Sequence, residues 1–572
     1  MKNIVRAIAA VVVALSVSAC GGGGSNAGSI LPANSGGNSS PAAASIVITI
    51  PRASSASKAK PQYVSASTQS ISAAIAPAAG CSGCSSANTV NANLTPSSPG
   101  CVAAAGGTTC TIALALNPGP YTATVATYDA ANQGGNKLSS NQAVPFTVTA
   151  NAANQIPMVL DGIPSSLTLA LSGTPPATLA SGTLTIDGAA TAVTISATTK
   201  DADNNTIVGA GAPTVASAVV TGNALYAAGT PSGSTFTLTT PAAGSRTPAT
   251  VTVTMAAPNC PGAAACTGTL TASMTEFIAL TETTANTVTV YSERTQTWST
   301  PVTSMDGYST IFDPSGNLWT ANANANSVTE FAPPYTGAPK TTITNGIDIP
   351  QSLAMDSNGN LFVTNVGGLP AYLQEYAPPY TSAPVLSIDD ASVASMRNIL
   401  IDNKNDLWIT NDSATTALYE LPAPVSTSHE TNLGALGCQG ITQDNAGNIV
   451  AACATTDHLY AYTTAGVAVN NAGIGESFPF LIPYPGGGTL DVIGSHSAGS
   501  VPIAFNDQTT STFLHINCNC AVPSGIVIDA NKLMYIADIS NNVVVTLPYP
   551  YTGTAQLLQS GFGGAWAMAI WP

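Results

Sequence analysis

Five aspartates, Asp313, Asp356, Asp402, Asp444 and Asp529, recur through the second half of this chain, each closing a short apolar run and opening a turn. The phrase "DPSGNLWTANANANSVTEFAPPYTGAP" at Asp313 returns as "DSNGNLFVTNVGGLPAYLQEYAPPYTSAP" at Asp356. The intervals between anchors are 43, 46, 42 and 85 residues. Since the last is close to twice 42, a degenerate unit is expected between, and residues 478–516 supply four strand-like runs there.

Within one unit, a first strand ends at Asp313, turns through Pro314-Ser315-Gly316-Asn317, and returns as a second strand from Leu318. Gly316, Gly359 and Gly447 sit where such a hairpin needs positive φ. A third strand follows over 327–331 and a fourth over 340–344. Pro333-Pro334-Tyr335 and Pro378-Pro379-Tyr380 fall between strands three and four and read as rigid loops that protect an edge. A repeat of this length holding four strands is the signature of a β-propeller blade. Ala565-Trp566-Ala567-Met568-Ala569-Ile570-Trp571-Pro572 reads as a first strand with nothing after it, whereas Phe277-Ile278-Ala279-Leu280 opens the region at a second strand. Pairing of the two closes the ring, which gives a seven-bladed propeller over residues 275–572.

Composition agrees with an all-β chain. There are 40 Pro and 51 Gly in 572 residues and no long amphipathic helical pattern. Charged residues make up only 7%, with 13 Lys+Arg against 28 Asp+Glu and a formal charge of −15. Nucleic acid is excluded as a partner, because neutralising phosphates requires clustered basic residues.

Ahead of the repeat, period-two alternation marks two further β units, 46–162 and 163–274. Ile112, Leu114 and Leu116 alternate, Asn117-Pro118-Gly119-Pro120 turns the chain, and Tyr121, Ala123 and Val125 alternate again, which predicts a hairpin. The phrase PGPYTATVATYD resembles strands of bacterial immunoglobulin-like modules, and TAVTISATTKDADNNTIVGAG is similar to the strand-loop signature of invasin-type immunoglobulin-like domains. Two immunoglobulin-like β-sandwiches are therefore expected. Asp201-Ala202-Asp203-Asn204-Asn205 places carboxylates at alternate positions, as a calcium loop does. Thr206 and Ala212 stand where an EF-hand loop needs Gly and Glu, so the segment reads as a polar turn.

The N-terminus sets the expected location. Lys2 and Arg6 precede an apolar run over 7–17 that is too short to span a bilayer, as in a secretory signal peptide over 1–19. Val17-Ser18-Ala19-Cys20 resembles the bacterial lipobox, with Val17 in place of the usual Leu. The resemblance implies acylation of Cys20 and a membrane attachment through lipid. Gly21 stands where an Asp would signal inner-membrane retention in Gram-negative lipoproteins, so the outer membrane is expected. Residues 20–45 are rich in Gly, Ser, Asn and Pro and read as a flexible tether with a reach on the order of 25 to 30 Å.

In an exported chain the remaining cysteines are expected in disulfides. They fall in even clusters: Cys81, Cys84, Cys101 and Cys110; Cys260 and Cys266; Cys438, Cys453, Cys518 and Cys520. Cys438 and Cys453 flank the Asp444 hairpin nearly symmetrically and should pair across it; connectivity within 81–110 and at 518–520 stays open.

The repeat region resembles NHL-type propellers and, more distantly, streptogramin-lyase and gluconolactonase propellers. Residues ending the second strands, Asn322, Asn365, Asn411, Cys453 and Asp538, with Glu282 equivalent, form a polar ring on the face that carries the loops between strands two and three. That ring suits a cation or a sugar; the same residue types also satisfy turn backbone groups. The anchor aspartates lie at the opposite strand ends and read as turn caps. His496 and His515 belong to the degenerate unit and can reach the ring face, with His458 from the unit before. No catalytic residue, metal or cofactor is assigned. The sequence thus describes a lipid-anchored envelope protein presenting a propeller as a platform for a protein or glycan ligand; the alternative is a propeller hydrolase or lyase acting on a small extracellular substrate.

Overall fold

The computed structural model describes residues 41–572 apart from 53–62, 142, 257–259, 304–307, 336–337, 369–370, 382, 389–395, 412–417, 427–430, 435–436, 454–457, 474–479, 484–491, 496–502 and 506–512. Cys20 and its tether up to residue 40 lie outside them. The described chain is all-β: strands dominate, and helix is confined to single short turns at Ala131–Gln133 and Ala263–Cys266. No helix among the described residues is long and apolar enough to cross a membrane.

Two sheets face each other in the first unit. Ala42–Pro51 pairs with Gly107–Leu116, and Ser70–Pro77 pairs with Gly119–Tyr128 in the opposite sheet. Their alternate residues Ile46, Ile48 and Ile50 meet Ile71, Ile75, Tyr121 and Val125 in one core. The hairpin expected around 117–120 is a corner instead: the strands on either side belong to different sheets. Alternation reports that one face of each strand is buried, and that is equally true of a hairpin and of a chain crossing between facing sheets.

The second unit is built likewise, with Ala192–Lys200 central in one sheet and Ala249–Ala256 and Thr267–Met274 in the other. Its Asp201 turn abuts the first unit. Asp201 Oδ1 accepts from the backbone N–H of Asp203 and Asn205 at 3.0 and 2.9 Å, and Oδ2 from the Tyr63 hydroxyl at 2.8 Å. The carboxylate that a cation would need therefore closes the turn and fastens it to its neighbour.

Seven four-stranded antiparallel sheets follow among the described residues. Sheet one is made from both ends of the region: Ala565–Trp571 pairs with Phe277–Glu282, in register Phe277 with Trp571 and Leu280 with Met568. Sheets two to seven begin with Thr310–Phe312, Pro350–Met355, Met396–Ile401, Cys438–Gln443, Phe480–Pro483 and Pro523–Ile528, the sixth being the degenerate unit. The seven first strands, Ala565–Trp571 included, touch in sequence and the circuit closes, from sheet one through sheet seven and back to one.

The anchors cap their hairpins as expected. Asp313, Asp356 and Asp444 each accept from the backbone N–H four residues on and from the Asn side chain there; Asp402 and Asp529 accept from Asp406 and Leu533 N–H. Gly316, Gly359 and Gly447 have φ of +85°, +83° and +89°. The Pro-Pro-Tyr loops do more than stiffen an edge, because their tyrosines turn inward. Tyr335 donates to Gly316 O at 2.8 Å and Tyr380 to Gly359 O at 2.6 Å, each bracing the hairpin of its own sheet.

All ten described cysteines are bonded: Cys81–Cys84, Cys101–Cys110, Cys260–Cys266, Cys438–Cys453 and Cys518–Cys520. Cys438 and Cys453 are register partners across the Asp444 hairpin, as their symmetric spacing predicts.

The second unit packs on the hairpin end of the sheets. Asp187 takes a two-pronged pair from Arg294, Nε to Oδ1 at 2.7 Å and Nη2 to Oδ2 at 2.5 Å, and Gly244 N–H donates to Pro314 O at 2.6 Å. Arg246 bonds the carbonyls of Ile528 and Pro572. One apolar core runs unbroken from Leu238, Val251 and Leu270 of the unit to Phe277, Tyr335 and Trp571 of the sheets.

Candidate functional site

Each first strand runs toward its hairpin, so its opening residues lie at the end away from the second unit. Counting back five from the anchors gives Tyr308, Gln351, Arg397, Gln439 and Ser524. In sheet one Trp571 takes the anchor's place opposite Phe277, and five before it stands Trp566. All of these but the buried Ser524 converge. Tyr308, Gln351, Arg397, Asn398, Gln439, Phe480 and Trp566 line a cavity of about 170 Å³ at the mouth of the strand circuit.

The local structure fixes how each side chain arrives. Gln351, with its amide nitrogen toward Met396 O at 2.9 Å, accepts from Arg397 Nη1 at 3.3 Å, which ties sheet three to sheet four. Asn398 Nδ2 donates to Gln439 O at 2.6 Å and ties four to five. Between sheets six and one, sheet seven offers glycine: a Cβ on Gly525 would lie 2.5 Å from Trp566 O, so only Gly lets these strands approach. Across that gap Trp566 and Phe480 meet edge to face, centroids 5.4 Å apart. Tyr308 stands 39% exposed.

The opposite end of the circuit differs in character. A cavity of about 520 Å³ lies there, with Ile311, Leu353, Met355, Ile399, Ile401 and Trp571 in its wall. Three carboxylates whose pKa is pushed up, Glu276, Glu293 and Asp529, also gather at that end. Burial, opposed by the Ala530 N–H and Arg246, raises Glu276 to about 7. Burial and the neighbouring Asp529 raise Glu293, and burial raises Asp529 itself. Glu276 Oε2 is buried without a hydrogen-bond partner.

The residues singled out from the second-strand ends sit on the mouth side but face inward. Glu282 Oε2 accepts from Gly563 N–H at 2.6 Å, and Asn365 Oδ1 from Asp348 N–H at 2.9 Å. Asn322 Nδ2 donates to Ser327 and Thr329 hydroxyls, both at 3.1 Å. Asp538 accepts from the N–H groups of Ala521, Val522, Ser540 and Asn541. Asn411 is equally buried, at 1% exposure. None of the five lines the mouth cavity. Cys453 of the same ring is spent in its disulfide. His496 lies outside the described residues; of His515 only the strand Phe513–His515 is described. His458 stands on the third strand of sheet five, its ring 6.0 Å from Tyr460.

What sequence reasoning missed was the start of the first strands. The signal was positional: five residues before each anchor, whatever the residue type. Among the described lining residues there is no carboxylate and no imidazole, so these seven form no general acid–base pair of that kind. Among the described residues no group of three or more His, Cys, Asp or Glu is placed to hold a metal ion. The described lining of the mouth offers aromatic surface and hydrogen-bonding amides and a guanidinium.

No protein-family model and no curated protein sequence matches the chain. Among solved structures the chain is similar to a streptogramin B lyase, at 12% identity, covering 52% of this chain and 91% of that one, with a TM-score of 0.36. It is similar to virginiamycin B lyase from Staphylococcus aureus at 14% identity, over 49% of this chain and 80% of that one, TM-score 0.29. A chain of a nidogen/laminin complex is similar at 12% identity, over 52% and 98%, TM-score 0.34.

Proposed function

We propose that this chain is a lipid-anchored envelope protein that presents a seven-bladed β-propeller as a binding platform, carried on two immunoglobulin-like modules. The closed circuit of first strands supports the propeller reading, since seven four-stranded sheets arranged so make a ring around an axis. One observation carries the platform reading: the second unit packs on the hairpin end at sheets one, two and seven, while the opposite end opens into a mouth lined by three aromatic rings, amides and a guanidinium. A concave site with few convergent polar groups is where a ligand binds. The lipobox at Cys20 supports attachment to the membrane, with the tether holding the modules clear of the headgroups.

The test uses the whole mature chain, because the second unit and the ring share one core. A palmitate analogue should label wild type and not Cys20→Ser. A defined envelope component should be retained by wild type and lost with the Tyr308→Ala/Phe480→Ala double variant. Equal retention by both would place binding elsewhere, and label on the serine variant would remove the anchor.

A further inference from the structure

We infer that the mouth accepts a single ring of a neutral saccharide, an inference that rests on the binding-platform reading. The lining residues are sorted by side. Going round the circuit, sheets six, one and two contribute Phe480, Trp566 and Tyr308, with sheet seven contributing no bulk between the first two. Sheets three, four and five contribute Gln351, Arg397, Asn398 and Gln439. One half of the described lining is aromatic and the other half is amide and guanidinium.

A sugar ring has the same division. One face presents C–H groups, which lose nothing by leaving water for an aromatic ring, and its rim presents hydroxyls that both donate and accept. Amides are matched to hydroxyls because each carries a donor and an acceptor, and the guanidinium adds donors. At about 170 Å³ the mouth is smaller than the ~300 Å³ at which drug-sized pockets begin, so it encloses one ring of a longer glycan. Phosphate-rich ligands fit poorly, since the described lining holds a single cation. An extended peptide needs a groove longer than one ring.

Tyr308 makes the best probe. Its exposure means that truncation removes contact surface without opening a core. The full chain is applied to a panel of immobilised neutral hexose- and N-acetylhexosamine-terminated oligosaccharides. At least one should bind saturably; Tyr308→Ala should raise its half-saturation concentration about tenfold or more, as removal of an aromatic anchor does. Tyr308→Phe, which keeps the ring, should stay within about threefold of wild type. Gln351→Leu, which keeps the volume and loses the amide, should again weaken binding about tenfold. The inference is overturned if no saccharide binds, or if binding ignores either Tyr308→Ala or Gln351→Leu. A chain that binds no saccharide yet retains an envelope protein in a Tyr308-dependent way overturns the sugar and leaves the platform standing. Retention of neither sinks both.

Discussion

Asp402 shows how much of the architecture hangs on one side chain. Its Oδ1 accepts from Lys404 and Asp406 N–H at 2.8 and 3.0 Å, and its Oδ2 from Trp408 Nε1 at 3.1 Å, while the indole is wholly buried. Asp313 repeats the arrangement with Asn317 and Trp319. At Asp313 and Asp402 the recurring Asp is therefore a hub that joins the hairpin to the core of its own sheet. Asp402→Ala leaves a buried indole N–H and the hairpin donors unpaired and should cost about 2 to 4 kcal/mol in urea unfolding. An unchanged midpoint would mean that the turn holds without it. Residue identity was legible here because the chemistry demands one residue type. At the mouth it was not: the position five before the anchor is Tyr, Gln, Arg, Gln or Ser, so its place repeats while its chemistry varies. The second-strand ring was legible as polar, but Asp538 is turned by the loop N–H groups of Ala521 and Val522 and Asn322 by the hydroxyls of Ser327 and Thr329, partners that the ring positions themselves do not announce.

At the scale of elements, the hairpins and strand order of the sheets followed from turn chemistry and period-two alternation. The strand pair on either side of 117–120 did not, because its partners come from Ala42–Pro51 and Ser70–Pro77, which local pattern cannot see. The closing strand is the element with most at stake. Ala565–Trp571 buries Ala565, Ala567 and Trp571, stacks Trp571 on Phe277, and touches the first strands of sheets two and seven. Deleting 565–572 strips the inner edge from Phe277–Glu282, where every residue is buried. Each large apolar side chain so exposed costs about 1.5 to 3 kcal/mol, and the bare strand edge invites intermolecular pairing. The truncated chain should melt far lower or aggregate, as read by differential scanning calorimetry and light scattering. Retention of the wild-type melting temperature would mean that the circuit closes without this strand.

Across the whole molecule, the joint between the second unit and the sheets carries a pH signature. Glu276 is buried there, near Arg246 at 3.5 Å, with its pKa raised to about 7 from 4.5. An acid whose folded pKa lies above its unfolded one stabilises the fold while both states are protonated or the folded state alone is. That contribution is lost as pH rises from about 4.5 through about 7. Its full size is on the order of 3 kcal/mol. Glu293 and Asp529, also raised, act in the same direction. Stability should therefore fall between pH 5 and 8, and Glu276→Gln, which keeps an acceptor for Ala530 N–H, should flatten part of that slope in thermal melts. An identical slope in the variant would assign the effect to its neighbours. The closure described above also bears on how the protein is made. Phe277 must wait for Trp571, so while the ribosome adds the nearly three hundred residues between them, the nascent ring has an unpaired flank. Any message cut short within that interval yields a chain that cannot complete its circle. The seam thus makes completion of the circuit wait until synthesis has passed Trp571.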